Sequence, residues 1–151
     1  MNRPDFWMYR RRLPHWRLTE ATYFVTWRLH AGQPDLAPAE RELVVSALRH
    51  FNGDRYELLA HVVMNDQVHA LVTPLGQRRL EDIVQAWKSY TAHILKKREQ
   101  RSGSLWQAEY FDRIVCDDAE LIEKAQYILN NPWKRWPELE EYPWVGAEGC
   151  E

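Results

Sequence analysis

The stretch Met64–Val72, MNDQVHALV, decides the fold of this chain. An Asn-Asp pair separates two apolar runs, and both residue types tolerate left-handed backbone, so the stretch predicts a tight β-hairpin between strands 56–64 and 67–73. Because side chains alternate between the two faces of a strand, Gln67 and His69 project side by side from one face. Such a pair suits a metal ion or a phosphate. The alternative is a half-exposed hairpin whose Gln and His only face water.

Length and composition indicate a single globular domain over residues 1–151. The chain is 45% hydrophobic and 28% charged, which is ordinary for a soluble protein that buries a core. It contains no apolar run long enough for a membrane span and no signal peptide, so we expect no membrane partner. Its two cysteines are too few for a disulfide framework, which fits a reducing, cytoplasmic location.

Charge is unevenly distributed along the chain. The first 108 residues hold 16 basic and 11 acidic residues, whereas the remainder holds 4 basic and 11 acidic residues and ends in an acidic tail, 137–151. An N-terminal arm, residues 1–20, interleaves aromatic and basic side chains; its candidates for DNA contact are Arg10, Arg11, Arg12 and Trp16. Such a mixture supplies phosphate contacts and flat faces for stacking bases. The alternative is that the arm packs its aromatic residues on its own domain.

The order of predicted elements points to an α+β fold. A strand rich in β-branched and aromatic residues is predicted first, followed by a helix, the hairpin, a second helix and a fourth strand, with boundaries at about 22–29, 39–51, 56–64, 67–73, 80–98 and 110–115. This β-α-β-β-α-β order is the ferredoxin-like arrangement with an antiparallel sheet.

One more helix follows, and it carries an unusual polar stripe. Asp117 is a good N-cap, and the helix is expected to end at Asn131, because Pro132 disfavours the α conformation of the preceding residue. At 100° per residue, Tyr127 lies about 160° from the centre of the apolar face, with Lys124 and Asn131 on the same stripe. The stripe therefore predicts either a functional tyrosine or a tyrosine lying over a neighbouring segment.

Several segments in this order resemble the REP-associated tyrosine transposases, a branch of the single-tyrosine HUH (IS200-like) transposases. The resemblance covers roughly residues 9 to 145. The matching segments are ATYFVTWRL at 21–29, VVMNDQVH at 62–69, SYT at 89–91, LWQ at 105–107, FDRIV at 111–115 and YILNNPWK at 127–134. The resemblance implies a ferredoxin-like domain whose C-terminal helix carries the catalytic tyrosine.

The resemblance also implies a reaction and its residues. The family cuts and rejoins single-stranded, hairpin-forming repeat DNA in the bacterial cytoplasm, and Tyr127 matches its nucleophile, which forms a 5′-phosphotyrosine intermediate. His69 and Asn131 match two ligands of a divalent cation, Mg²⁺ or Mn²⁺, with Gln67 at the position of the third. Lys124 and Lys134 join the arm as expected DNA contacts. The protein is expected to be a monomer or a homodimer.

Gln67 departs from the family pattern, which places a histidine there. An amide oxygen binds hard cations, but more weakly, and His61 cannot substitute because it points to the other face of the sheet. Three functions therefore remain open: a DNA endonuclease and strand transferase, a domesticated DNA-binding module with weak or no cleavage, and an unrelated RNA-binding ferredoxin-like domain. The absence of a Lys/Arg-Gly-Phe-Gly-Phe-like strand motif counts against the third.

Overall fold

A five-stranded antiparallel sheet with helices on both faces forms the body of the protein. The computed structural model describes residues 18–148. In chain order the elements are β1 (Tyr23–Arg28), α1 (Pro38–His50), β2 (Tyr56–Val63), β3 (Gln67–Pro74), α2 (Leu80–Glu99), β4 (Phe111–Ile114), α3 (Asp118–Arg135) and β5 (Val145–Ala147). The strand order across the sheet is β4-β1-β3-β2-β5. The first four strands thus have the ferredoxin-like order, which confirms the predicted α+β fold.

The hairpin has the predicted register. Val62 lies opposite His69, and the Met64 N–H donates to the Gln67 carbonyl over 2.8 Å, so Asn65 and Asp66 form the turn. Arg135, in the last turn of α3, donates to the side chain of Asn65 over 2.9 Å and forms an ion pair with Asp66. The hairpin turn is therefore tied to the end of the last helix.

Each face of the sheet has its own apolar core. Helices α1 and α2 cover one face, where Val68, Ala70 and Val72 of β3 point. Helix α3 and the segment that follows it cover the other face, where Leu71 of β3 packs with Ile128 of α3. Gln67 and His69 belong to this second face by strand alternation, as the sequence predicts.

The last helix differs from the prediction at its C-terminal end. It continues through Pro132 to Arg135 instead of ending at Asn131. A proline inside a helix loses one backbone hydrogen bond and crowds the preceding turn. Here the continued turn buries Trp133, whose indole N–H donates to the Leu139 carbonyl over 2.9 Å, and this packing offsets the loss. The predicted N-cap at Asp117 is confirmed, since its carboxylate accepts from the Glu120 N–H.

The arm residues Arg10, Arg11, Arg12 and Trp16 lie outside the described residues, as do the last three residues of the acidic tail. Of the helices in the described part of the chain, none is long and apolar enough to span a membrane.

Candidate active site on the α3 face of the sheet

His69 is the most enclosed polar group at the centre of this face. Its Nδ1 lies 2.7 Å from Thr26 Oγ1 on β1, and its ring stacks on Phe24 with 5.8 Å between centroids. Its Nε2 is buried and has no hydrogen-bond partner among the described residues. Burial, and then the positive charges of Arg28 and Arg135, lower the pKa of His69 to about 4. The ring is therefore neutral at pH 7, and when Nδ1 donates its proton to Thr26, Nε2 presents a lone pair.

Tyr127 reaches this histidine from α3. Its ring meets the His69 ring edge-on at 5.5 Å and the Phe24 ring edge-on at 5.8 Å, while 40% of the residue remains exposed. Tyr127 is therefore exposed, as its position on the helix predicts, but its ring borders the sheet instead of pointing away from it. The C-terminal half of α3 is enclosed on nearly all sides, because the segment after it folds back over the helix and anchors Tyr142 on the Val63 carbonyl over 2.6 Å.

Gln67 is engaged by a neighbouring cation. Its Oε1 accepts a hydrogen bond from Arg28 Nη1, and the two residues face each other across the β1–β3 pair. Gln67 is buried, whereas Arg28 is exposed. The amide oxygen that would serve as a ligand is thus already bound to a guanidinium.

The other predicted residues of α3 border Tyr127. Asn131 is buried one helical turn after it. Lys124 places its Nζ 5.4 Å from the centre of the Phe24 ring, and Lys134 places its Nζ 5.9 Å from the centre of the Tyr127 ring. One ammonium group therefore lies over the Tyr127 ring, and the other lies over the Phe24 ring that Tyr127 contacts.

Among the predicted metal ligands, His69 is the one whose ligand atom, Nε2, is ready to bind a divalent cation. A buried, neutral imidazole nitrogen without a partner is the state that a metal ligand requires. Gln67 becomes a donor only when Arg28 releases its oxygen. No cluster of three His, Cys, Asp or Glu side chains suited to a metal occurs within residues 18–148, so any site here depends on amide oxygens and water beside a single imidazole.

Three contributors to the site come from β1 and were not predicted as site residues: Phe24, Thr26 and Arg28. They alternate along one strand, and the register places Thr26 opposite His69 and Arg28 opposite Gln67. Strand alternation alone would have placed all three on one face. Their pairing with β3 required the sheet order, which short sequence patterns do not contain.

Comparison with protein families settles the relationship that this geometry suggests. The model of the family described as IS200-like transposases matches residues 39–131, a span that includes the hairpin and Tyr127. The chain belongs to the IS200-like transposase family. Transposases act on DNA, and the family is of the DNA-endonuclease type, so this IS200-like transposase is a DNA-acting protein. No curated protein matches it significantly.

Two solved structures share the transposase fold. One is a REP-associated tyrosine transposase bound to a REP hairpin, which is 19% identical, with a TM-score of 0.69; the match covers 88% of this chain and 80% of that one. The other is a candidate transposase from Deinococcus radiodurans, 25% identical, with a TM-score of 0.54; the match covers 76% of this chain and 91% of that one. At 19% identity, the likeness to the REP-associated tyrosine transposase shows a shared fold.

Proposed function

We propose that this IS200-like transposase is a single-stranded DNA endonuclease and strand transferase acting on hairpin-forming repeat DNA. The observation that carries the proposal is an exposed tyrosine whose ring contacts a buried, neutral histidine with an unpartnered Nε2. A DNA hairpin is the ligand of the structurally similar REP-associated tyrosine transposase. The same chemistry suits both cleavage and rejoining, because a tyrosyl phosphate is itself a substrate for attack.

In the proposed reaction, Tyr127 Oη forms a bond to the phosphorus of a phosphodiester while the bond from phosphorus to the 3′ oxygen breaks. One strand end leaves as a 3′-hydroxyl, and the other remains as a 5′-phosphotyrosine. Attack by a 3′-hydroxyl of another strand reverses the step and joins the two strands without a nucleotide cofactor. Lys124 and Lys134 border Tyr127 and would hold the strand's phosphates there.

His69, with Asn131 and with Gln67 after its release from Arg28, would hold Mg²⁺ or Mn²⁺. When bound, the cation would polarise the phosphate oxygens and neutralise developing charge. Thr26 fixes the His69 ring and so keeps Nε2 directed into the site.

The arm is a further proposed DNA contact. Arg10, Arg11, Arg12 and Trp16 would bind the strand through phosphates and stacking. Replacing the three arginines with alanine is expected to lower the log-log salt slope of DNA binding by about 2 to 3, at ~0.7 to 0.9 per phosphate contact. An unchanged slope would show that the arm packs on its own domain instead.

A second candidate function is a DNA-binding module that does not cut. The hydrogen bond from Arg28 to Gln67 favours it, because it engages the amide oxygen that the proposed cation would need. The experiment that separates the two functions incubates the protein with Mn²⁺ and an end-labelled DNA hairpin with single-stranded flanks. A covalent protein–DNA adduct that disappears in Tyr127→Phe supports the enzyme. Tight binding with no adduct at any Mn²⁺ concentration supports the module.

A further inference from the structure

Phe111 is a large apolar side chain left mostly in water. It lies on β4, at the outer edge of the sheet, and 57% of it is exposed. A phenylalanine gains free energy when it is buried, and a single exposed one needs no explanation by itself. Its position is what distinguishes it from the other exposed apolar residues.

Phe111 shares its face of the sheet with the candidate active site. It lies directly opposite Thr26, the residue that contacts His69, and its ring meets Phe24 edge-on at 6.5 Å. Phe24 in turn meets Tyr127 at 5.8 Å. The three rings therefore form a continuous aromatic row that runs from the sheet edge to the proposed nucleophile.

Positive charge borders the same row. Lys124 lies over Phe24 and Lys134 over Tyr127, so ammonium groups are placed beside two of the three rings. Exposed aromatic faces beside cations are the arrangement by which proteins hold single-stranded nucleic acid; here the exposed rings are Phe111 and Tyr127, with the buried Phe24 between them. An apolar peptide would gain nothing from these cations, and charge complementarity therefore favours a nucleic-acid strand as the occupant.

We propose that Phe111 is a stacking platform for one unpaired nucleobase, one or two nucleotides from the phosphate that reaches Tyr127. The platform rests on the proposed function in one respect, namely that a DNA strand lies at Tyr127. It adds a subsite that would favour DNA in which an unpaired base lies one or two nucleotides from the cleaved phosphate.

The test measures binding without cleavage, in EDTA, using fluorescence anisotropy of a DNA hairpin with single-stranded flanks. Phe111→Ala is expected to weaken binding about 5- to 150-fold, the range for loss of one stacked base, whereas Phe111→Trp should keep the affinity within about threefold. Ile114→Ala is the matched control. Ile114 is 51% exposed on the same strand, but it lies opposite Tyr23 and so points to the other face. The Ile114→Ala variant should bind the hairpin as tightly as the unchanged protein does.

A series of single abasic sites along the flanks locates the base. The unchanged protein should lose affinity at one position, and Phe111→Ala should lose nothing further at that position. Equal losses at every abasic position in both proteins, or normal binding by Phe111→Ala, would overturn the platform. The adduct experiment reports on the proposed function independently. An adduct without abasic coupling rejects only the platform, coupling without an adduct rejects only the cleavage, and absence of DNA binding rejects both.

Discussion

His61 and His69 lie on neighbouring strands of one sheet, and their side chains enter opposite faces. Both are buried, burial lowers the pKa of each to about 4, and neither Nε2 finds a hydrogen-bond partner among residues 18–148. His61 is enclosed by Arg49 of α1 and by Gly146, where an added Cβ would lie 3.2 Å from His61 Cε1. His69 instead pairs with Thr26, and its ring contacts the half-exposed Tyr127.

The difference shows that burial and a lowered pKa do not by themselves identify a functional histidine. A packed core and a binding site can produce the same pKa shift. What separates the two residues is what lies beside each ring: Arg49 and Gly146 lie beside His61, whereas Thr26 and the half-exposed Tyr127 lie beside His69. The predictions below change His69, its neighbours or His61, and compare each variant with the unchanged protein or with a matched control.

The largest effect is expected at the site histidine itself. His69→Ala should reduce Mn²⁺-dependent cleavage at least about 100-fold, because it removes the only imidazole of the proposed site; loss of residues that merely support a ligand already costs 10- to 100-fold. His61→Gln should keep cleavage close to that of the unchanged protein. Cleavage of labelled hairpin DNA, with circular dichroism to check folding, compares them. Similar losses in both variants would show that the two histidines do not differ in role.

A smaller loss is expected when the partner of His69 Nδ1 is removed. Thr26→Val keeps the shape of the side chain but frees the ring, and cleavage should fall about 10- to 100-fold while DNA affinity is retained. Thr22→Val is the matched control. Thr22 directly precedes β1, is also buried, and its hydroxyl also has a side-chain partner, the Thr73 hydroxyl at 2.6 Å. Unaltered cleavage in Thr26→Val would mean that Thr26 does not orient the ring.

A gain is expected when the departure from the family pattern is reversed. Gln67→His should raise cleavage about tenfold at low Mn²⁺ and little at saturating Mn²⁺. Imidazole is the better donor for Mn²⁺, and the substitution removes the amide oxygen that Arg28 engages. A Mn²⁺ titration of cleavage in both proteins measures the shift. If Gln67→His gains nothing and the parent protein does not cleave, the binding module becomes the better account.

The smallest effect is expected on stability. The pKa of His61 is about 4 in the folded protein and 6.5 in its ordinary state, so between these values the unfolded chain binds more protons. The contribution of His61 should therefore lower the free energy of unfolding as pH falls from 6.5 to 4, by up to about 1.4 kcal/mol per pH unit. His61→Gln should make this dependence shallower by that amount. Urea unfolding at pH 7, 5.5 and 4.5 checks it, and an unchanged slope would show that His61 is not held neutral.

Local patterns in the sequence were sufficient for the scaffold. Alternation along 67–73 and the Asn-Asp turn determine the hairpin register, since a slip of one residue would move every apolar side chain to the wrong face. The order of periodic segments then leads to the ferredoxin-like fold, and the same alternation separates His61 from His69. These features depend on neighbours in sequence, which is why they can be read without a structure.

The surroundings of the site depend on residues distant in sequence. Helical periodicity predicts that Tyr127 lies opposite the apolar face, but it does not contain the contacts of its ring with Phe24 and His69 on the sheet. Pro132 predicts the end of the helix by local rules alone. The helix continues because Trp133 is buried, and that burial is a tertiary effect that the local sequence does not show. The hydrogen bond from Arg28 to Gln67 joins strands 39 positions apart, and β5 is a short edge strand containing Gly146, without an alternating pattern.

The identity of the modified residue tests the central claim most directly. The adduct formed with Mn²⁺ and hairpin DNA is treated with nuclease and trypsin, and the peptide that retains a nucleotide is identified by mass spectrometry. Cleavage after Lys124 and Lys134 isolates a peptide whose only tyrosine is Tyr127. We predict a nucleotide joined through its 5′-phosphate to this peptide. A nucleotide on any other peptide, or no adduct in a protein that binds the hairpin, would contradict Tyr127 as the nucleophile.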